Sequence, residues 1–317
     1  MAKPIKKSPK ASPKPKAPIA PFLVGRDDEM RKIAACLTSN RSVLLEGPVG
    51  VGKTHLAIAA TTLLARPVYR IDGDSRYTEQ KLTGWFDPPT VMKRGFVKEA
   101  FTDGPLVEAM RNGGVLFINE LNRLPEGVQN VLLPAIDEGV IMVPRLGEVR
   151  AIQGFTVIAT QNPKEFVATS HLSEAILDRF ELVVMDYQSE EDECQIVTWK
   201  IQSKTGLRGG LKSERLLPLA SVRLARMTRN HPRVRRGASV RAAIGVAELT
   251  ASLMSAGKAF EEAFLAAALM ALPTRIEIER ELESEATAHE ETESLLREWA
   301  QSVLQELSSD STGKKKT

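Results

Sequence analysis

Short apolar runs alternate with longer segments of helical spacing from Pro21 to about Tyr187. The runs Val43–Leu45, Val68–Ile71, Val115–Ile118, Thr156–Ala159 and Leu182–Met185 predict buried strands. His55–Leu64, rich in helix formers, predicts a helix after the first of them. This alternation predicts an α/β fold, a central parallel sheet with helices on both faces. Beyond Gln188 the pattern becomes helical only. Ser189–Lys204, Leu216–Arg229, Ser239–Ser255 and Phe260–Leu272 predict a small all-helical domain beside the sheet, with Asn230–Gly237 as a basic loop within it. In the charged stretch after Pro273, Leu295, Trp299 and Val303 recur every four residues and give one apolar face. That face is expected to pack on the helical domain or on a neighbouring subunit. The expected division is a disordered Lys/Pro-rich tail over 1–20, a core domain over 21–187, a helical lid over 188–276, a helical extension over 277–308 and a disordered tail over 309–317.

A chain of 317 residues with 43% apolar content can bury a sizeable core. It contains no apolar run long enough to span a bilayer. The N-terminus is Lys- and Pro-rich without an apolar segment, so no secretory signal is expected. The two cysteines, Cys36 and Cys194, suggest neither a disulfide framework nor a zinc site, and the four histidines are scattered. The expected compartment is a reducing cytoplasm. A net charge of +3, partly carried by the tails, does not by itself point to nucleic acid.

The chemistry gathers at strand ends. Ligands of open α/β sheets bind beyond the carboxyl ends of the strands. Gly47-Pro48-Val49-Gly50-Val51-Gly52-Lys53-Thr54 fits GxxxxGK[ST] and lies between a predicted strand and a predicted helix. Glycines allow backbone N–H groups to turn inward on phosphates, and the helix N-terminus adds its dipole. Lys53 is placed to reach the β- and γ-phosphates, and the Thr54 hydroxyl to hold Mg²⁺. Asn119-Glu120 ends the strand Val115–Ile118; Glu120 reads as a general base or water-positioning group, or else as the cap of the next helix. Asn162 ends the next strand, where its amide can bond a phosphate or the attacking water. Arg179 precedes the last strand; it reads either as an arginine acting on a neighbouring subunit's phosphate or as a local pair with Asp178. Arg241 opens a helix of the lid; it reads either as a group reaching back to the phosphates as the lid closes or as a helix-start arginine paired with a nearby acid.

In this order the motifs resemble an AAA+ ATPase of the MoxR family, from about Phe22 to Ile276. Phe22–Arg26, with Val24 and Gly25, resembles the segment that lines the adenine pocket. Gly47–Thr54 and the following His55 resemble the phosphate loop and the start of its helix. Asn119–Pro125 is similar to the Walker B signature, Ala159–Pro163 to sensor 1, Leu177–Phe180 to the arginine-finger segment and Gly237–Ala242 to sensor 2. Thr83–Pro105 looks like the helix-2 insert and Val140–Ile152 like the hairpin before sensor 1, projections that face substrate in such families. The resemblance implies a homo-oligomeric ring, usually a hexamer, with ATP and Mg²⁺ between subunits. It also implies chaperone-like remodelling of partner complexes, often with a von Willebrand factor A domain protein. One departure stands out: Asn119 occupies the position where the family usually has Asp, beside the metal. An amide is a poorer Mg²⁺ partner than a carboxylate, so slow hydrolysis is expected, and a nucleotide-gated assembly module is the competing reading. A DNA-dependent motor is a third, resting on Arg233-Val234-Arg235-Arg236 and the lysine tails.

Overall fold

The computed structural model describes residues 23–63, 65–162, 172–205, 212–279 and 287–313. The expectations for the tail 1–20, for Phe22 and for Pro163 lie outside these residues. Along the chain, α1 (Asp27–Thr38) leads into β1 (Ser42–Glu46), the glycine loop, α2 (Lys53–Leu63) and β2 (Val68–Asp72). Asp27, Asp28 and Glu29 in the first turn of α1 oppose the positive end of its dipole. Next come α3 (Glu79–Thr83), β3 (Gly84–Phe86), α4 (Pro88–Arg94) and β4 (Phe101–Asp103). Asp87 caps α4 by accepting from the Thr90 N–H at 3.1 Å, with Pro88 at the first helical position. Then α5 (Pro105–Asn112), β5 (Val115–Asn119), α6 (Glu126–Asp137), the hairpin β6 (Val140–Val143) and β7 (Gly147–Arg150), β8 (Thr156–Gln161), α7 (Glu174–Leu177) and β9 (Phe180–Val184) complete this part.

The main sheet has five parallel strands in the order β2-β5-β8-β1-β9. Its central strands read as continuous apolar runs because both faces are covered. Alternate residues of one strand serve opposite cores. Val43, Leu45, Val115, Phe117 and Ile158 pack with Ile33, Leu37 and Leu56 of α1 and α2. Leu44, Leu116, Ile118, Val157 and Ala159 pack with Leu82, Leu106, Met110 and Leu132 from α3, α5 and α6. The edge strand β9 instead alternates buried Val183 with exposed Leu182 and Val184.

The rest is built on α8 (Glu190–Thr205), α9 (Lys212–Asn230), β10 (Val234–Arg236), α10 (Val240–Ser255), α11 (Phe260–Ala271), β11 (Glu277–Ile278) and α12 (Ala288–Gly313). Leu296, Trp299, Ala300, Val303 and Leu307 of α12 share one core with Val197, Leu224, Val246 and Phe264 of α8 to α11. The helix runs to Gly313, past residue 308 where the extension was expected to stop. Among its described residues this helical region has one addition to the expected helices. β10 and β11 pair antiparallel as a ribbon, Val234 opposite Ile278. Its strands are too short, and too far apart in sequence, for alternation to announce them.

Buried ion pairs join α8 and α9. Arg229 donates to Glu193 at 2.8 Å with both side chains nearly inaccessible, and its guanidinium lies 3.9 Å from the Tyr187 ring centroid. Tyr187 belongs to the connection between β9 and α8, so this arginine ties that connection to the helices. The Cys194 thiol nearby is pushed up to about 11 by burial and by the Glu190 and Glu193 carboxylates.

Candidate functional site

The glycine loop follows β1, whose end is in register with the end of β8: Glu46 pairs with Gln161, and the Gln161 amide bonds the Glu46 carboxylate. On the other side Asp72 of β2 pairs with Asn119 of β5. The carboxyl ends of β1, β5 and β8 therefore carry the loop, Asn119-Glu120 and Gln161-Asn162 to one edge of the sheet.

In the loop, Lys53 Nζ donates to the carbonyls of Gly47 at 2.6 Å and Pro48 at 2.9 Å. Its charge is thus held beside the backbone that would cradle phosphates. Thr54 Oγ1 donates to Asn119 Oδ1 at 3.1 Å, which joins the loop helix to β5. Asn119 Oδ1 also accepts from Thr160 Oγ1 at 3.2 Å, and Thr160 Oγ1 accepts the Glu120 N–H at 2.9 Å. Glu120 is left-handed at φ 59°, and its carboxylate pairs with Arg123 at 2.7 Å rather than capping a helix with its side chain. The backbone closes tightly here: a Cβ on Gly73 would stand 2.0 Å from the Glu120 carbonyl oxygen. Asn162 is 7% exposed directly after β8.

A cavity of about 510 Å³ opens between the loop and the helical part. Leu23, Val24, Ile196, Trp199 and Ile244 give it apolar walls, and Arg26, Lys200, Arg241 and Arg275 give it positive charge. Gly50, Val51, Gly52 and His55 line it from the loop side. Gly50 has φ 80° and lies against Ser239, which would stand 2.4 Å from a Cβ there, so the start of α10 rests on the loop. Burial first, then the Lys200 and Arg241 charges, lower the His55 imidazole below its ordinary range. The Ala238 N–H donates to Thr228 Oγ1 at 2.8 Å and the Ala238 carbonyl accepts from Arg229 at 2.7 Å, fixing the turn that delivers Arg241.

The apolar walls and cationic lining fit a nucleobase joined to phosphates. Among the described residues no group of three or more His, Cys, Asp or Glu side chains could hold a metal by itself. The Thr54 hydroxyl, bonded to Asn119, is an oxygen donor of the kind that Mg²⁺ takes beside phosphate oxygens and waters.

The remaining sequence candidates are spread more widely. Val49 is 42% exposed and, with Gly25, Gly47, Pro48, Lys53, Thr54, Asn119, Glu120, Asn162 and Arg179, is not among the residues lining the cavity. Arg179 lies at the opposite edge of the sheet, because Phe180 pairs with Ser42 at the start of β1. At ~3.3 Å per residue, that leaves ~13 Å of strand before the loop begins. Its partner is Asp137 of α6, at 2.6 Å, together with the Ala175 carbonyl, and not the adjacent Asp178. In the basic loop, Arg233 pairs with Glu291 at 2.5 Å and Arg235 lies 3.8 Å from Glu277.

Residues 42–180 match the AAA domain (dynein-related subfamily). Over 250 residues the chain is 30% identical to Protein NorQ of Paracoccus denitrificans, which covers 78% of this chain and 87% of that protein. The chain belongs to the MoxR family of AAA+ ATPases. It is also 31% identical over 192 residues to the Gas vesicle ATPase GvpN2 of Halobacterium salinarum, covering 56% of this chain and 55% of that one. In fold it is similar to a mutant form of RuvB from Thermotoga maritima, with a TM-score of 0.54, 18% identity, and coverage of 78% of this chain and 71% of that one.

Several polar groups of this MoxR-type chain escaped the sequence reading. Arg26 is 6% exposed and donates to the Val51 carbonyl of the loop at 3.1 Å and to the Asp186 carbonyl at 2.6 Å. It lies in the segment read for its adenine-lining neighbours, and nothing in its spacing marks a clamp. Thr160 lies inside the motif Ala159–Pro163, where attention falls on the amides. No helix among the described residues is long and apolar enough to cross a membrane.

Proposed function

We propose that this chain binds ATP with Mg²⁺ in the cavity between its sheet and its helical lid, and hydrolyses it slowly as part of a homo-oligomeric ring that remodels partner proteins. The observation that carries this reading is the meeting of the glycine loop and Arg241 around one cavity, with the end of β5 bonded to the helix after the loop through Asn119 and Thr54. Lys53 and the loop amides bind the phosphates, and Val24, with Gly25 next to it in the chain, takes the base side. Thr54 and Asn119 face the metal, Glu120 takes the proton of the attacking water, Asn162 orients that water, and Arg241 reports the γ-phosphate from the lid. When bound, Mg²⁺ neutralises charge on the phosphates. Arg179 is too far from its own loop to serve it, which supports action on the next subunit's site. Residues 21–187 form the core and 188–276 the lid, with α12 packed onto the lid. The hexamer, the remodelling role, a von Willebrand factor A domain partner and a cytoplasmic setting rest on family membership.

Asn119 favours a second reading, a module that assembles on nucleotide and hydrolyses little. The DNA-motor reading loses support, since Arg233 and Arg235 face acidic partners within the fold. Asn119→Asp separates the first two readings. A carboxylate would draw the metal more strongly while still accepting from Thr54 and Thr160. The variant is expected to show faster ATP turnover and half-saturation at lower Mg²⁺ in a phosphate-release assay. Unchanged turnover and Mg²⁺ dependence would mean that Asn119 does not limit the site.

A further inference from the structure

Beside Asn119 and Glu120 lies a hydroxyl that neither motif reading nor family membership assigns. Thr160 is 1% exposed on β8, a central strand. A hydroxyl has one proton to give. Thr160 Oγ1 accepts the Glu120 N–H at 2.9 Å and keeps its proton, which it donates to the Asn119 oxygen at 3.2 Å. That donation holds the oxygen end of the Asn119 amide inward. The same oxygen accepts from Thr54 at 3.1 Å. Two hydroxyls then hold that oxygen, and Thr54, acting as donor, keeps its own lone pairs for a ligand.

The chemistry of position 119 makes this matter. A carboxylate presents two equivalent acceptor oxygens and has no wrong way round. An amide rotated by half a turn would aim N–H groups at both hydroxyls, and Thr54 would spend a lone pair accepting from it. Thr160 also holds the left-handed backbone of Glu120, a conformation that non-glycine residues seldom adopt and that surrounding structure must maintain.

We infer that Thr160 is a positioning residue of the proposed ATPase site: its hydroxyl orients the Asn119 amide so that Thr54 is free to ligate Mg²⁺, and it fixes the backbone that carries Glu120. The inference rests on the proposed roles of Thr54 and Glu120. It is tested with Thr160→Val, which keeps the shape and removes the hydroxyl, and Thr160→Ser, which keeps the hydroxyl and removes a buried methyl. Thr160→Val is expected to lose ~10–100-fold in turnover and in Mg²⁺ affinity, the scale for removing a group that orients a metal's surroundings. Protection of the Glu120 amide against hydrogen exchange is expected to fall with it. Thr160→Ser is expected to retain turnover, Mg²⁺ dependence and amide protection, although thermal unfolding shows it to be the less stable variant. A purely structural role would impair the serine variant at least as much as the valine one.

In the Asn119→Asp background the effect of Thr160→Val on Mg²⁺ affinity should shrink, because a carboxylate needs no orienting. A Thr160→Val protein with wild-type Mg²⁺ dependence and wild-type amide protection would overturn the inference. So would a Thr160→Ser protein as impaired as Thr160→Val. A wild-type protein without ATP turnover would overturn the hydrolytic reading instead; Mg²⁺-dependent binding of a fluorescent ATP analogue and amide exchange would still decide the role of Thr160.

Discussion

Arg179→Ala is expected to bind ATP as the wild-type protein does and to lose ~10³–10⁵-fold in turnover, the range for removing an arginine that stabilises the transferring phosphoryl group. The argument is one of distance and direction. Arg179 precedes β9 at the edge of the sheet away from the glycine loop, so its guanidinium cannot serve its own site. It is held there by a bond to Asp137 and by the Ala175 carbonyl, which points the group from a rigid base made by α6 and α7. Such a base is what a group acting across a boundary requires, since binding affinity on its own subunit does not depend on it. The check is complementation. Subunits carrying Arg179→Ala keep a sound nucleotide site, and subunits carrying Lys53→Ala keep a sound arginine. Mixed assemblies should recover turnover that neither variant has alone. Absence of recovery at any mixing ratio would count against action in trans.

Glu120→Gln is expected to bind ATP and to hydrolyse it ~10²–10⁴-fold more slowly, the contribution typical of a positioned general base. The substitution preserves size and removes the ability to take a proton. In the structure the carboxylate rests on Arg123. Its backbone is locked by Thr160 and crowded by Gly73, so the residue is fixed at its Cα while its side chain must turn to meet water. Steady-state turnover together with equilibrium binding of a fluorescent ATP analogue separates the two effects. Equal losses in binding and turnover would assign Glu120 to the fold rather than to the reaction.

The central strands were legible because each is buried on both faces and therefore reads as an unbroken apolar run, as in Val43–Leu45 and Val115–Ile118. The loop was legible because its glycines sit between such a strand and a helix. The ribbon of Val234–Arg236 with Glu277–Ile278 was not, since neither segment is long enough to show a period and some forty residues separate them. Side-chain partners were the least legible part. The sequence offered Asp178 beside Arg179, but the turn between α7 and β9 carries the arginine to Asp137 instead. Thr160 and Arg26 act through hydrogen bonds to groups from distant parts of the chain, and such bonds leave no local pattern. The basic run at Arg233–Arg236 looked like surplus charge until the fold brought Glu277 and Glu291 beside it.

The central claim, ATP hydrolysis at sites completed between subunits, is tested most directly by steady-state ATP turnover per protomer across a wide range of protein concentration, with Mg²⁺ present. The account predicts turnover that rises with concentration as assemblies form and then levels off. Turnover per protomer that stays constant from the most dilute protein upward would contradict completion between subunits, and negligible turnover at every concentration would contradict hydrolysis and favour the nucleotide-gated module.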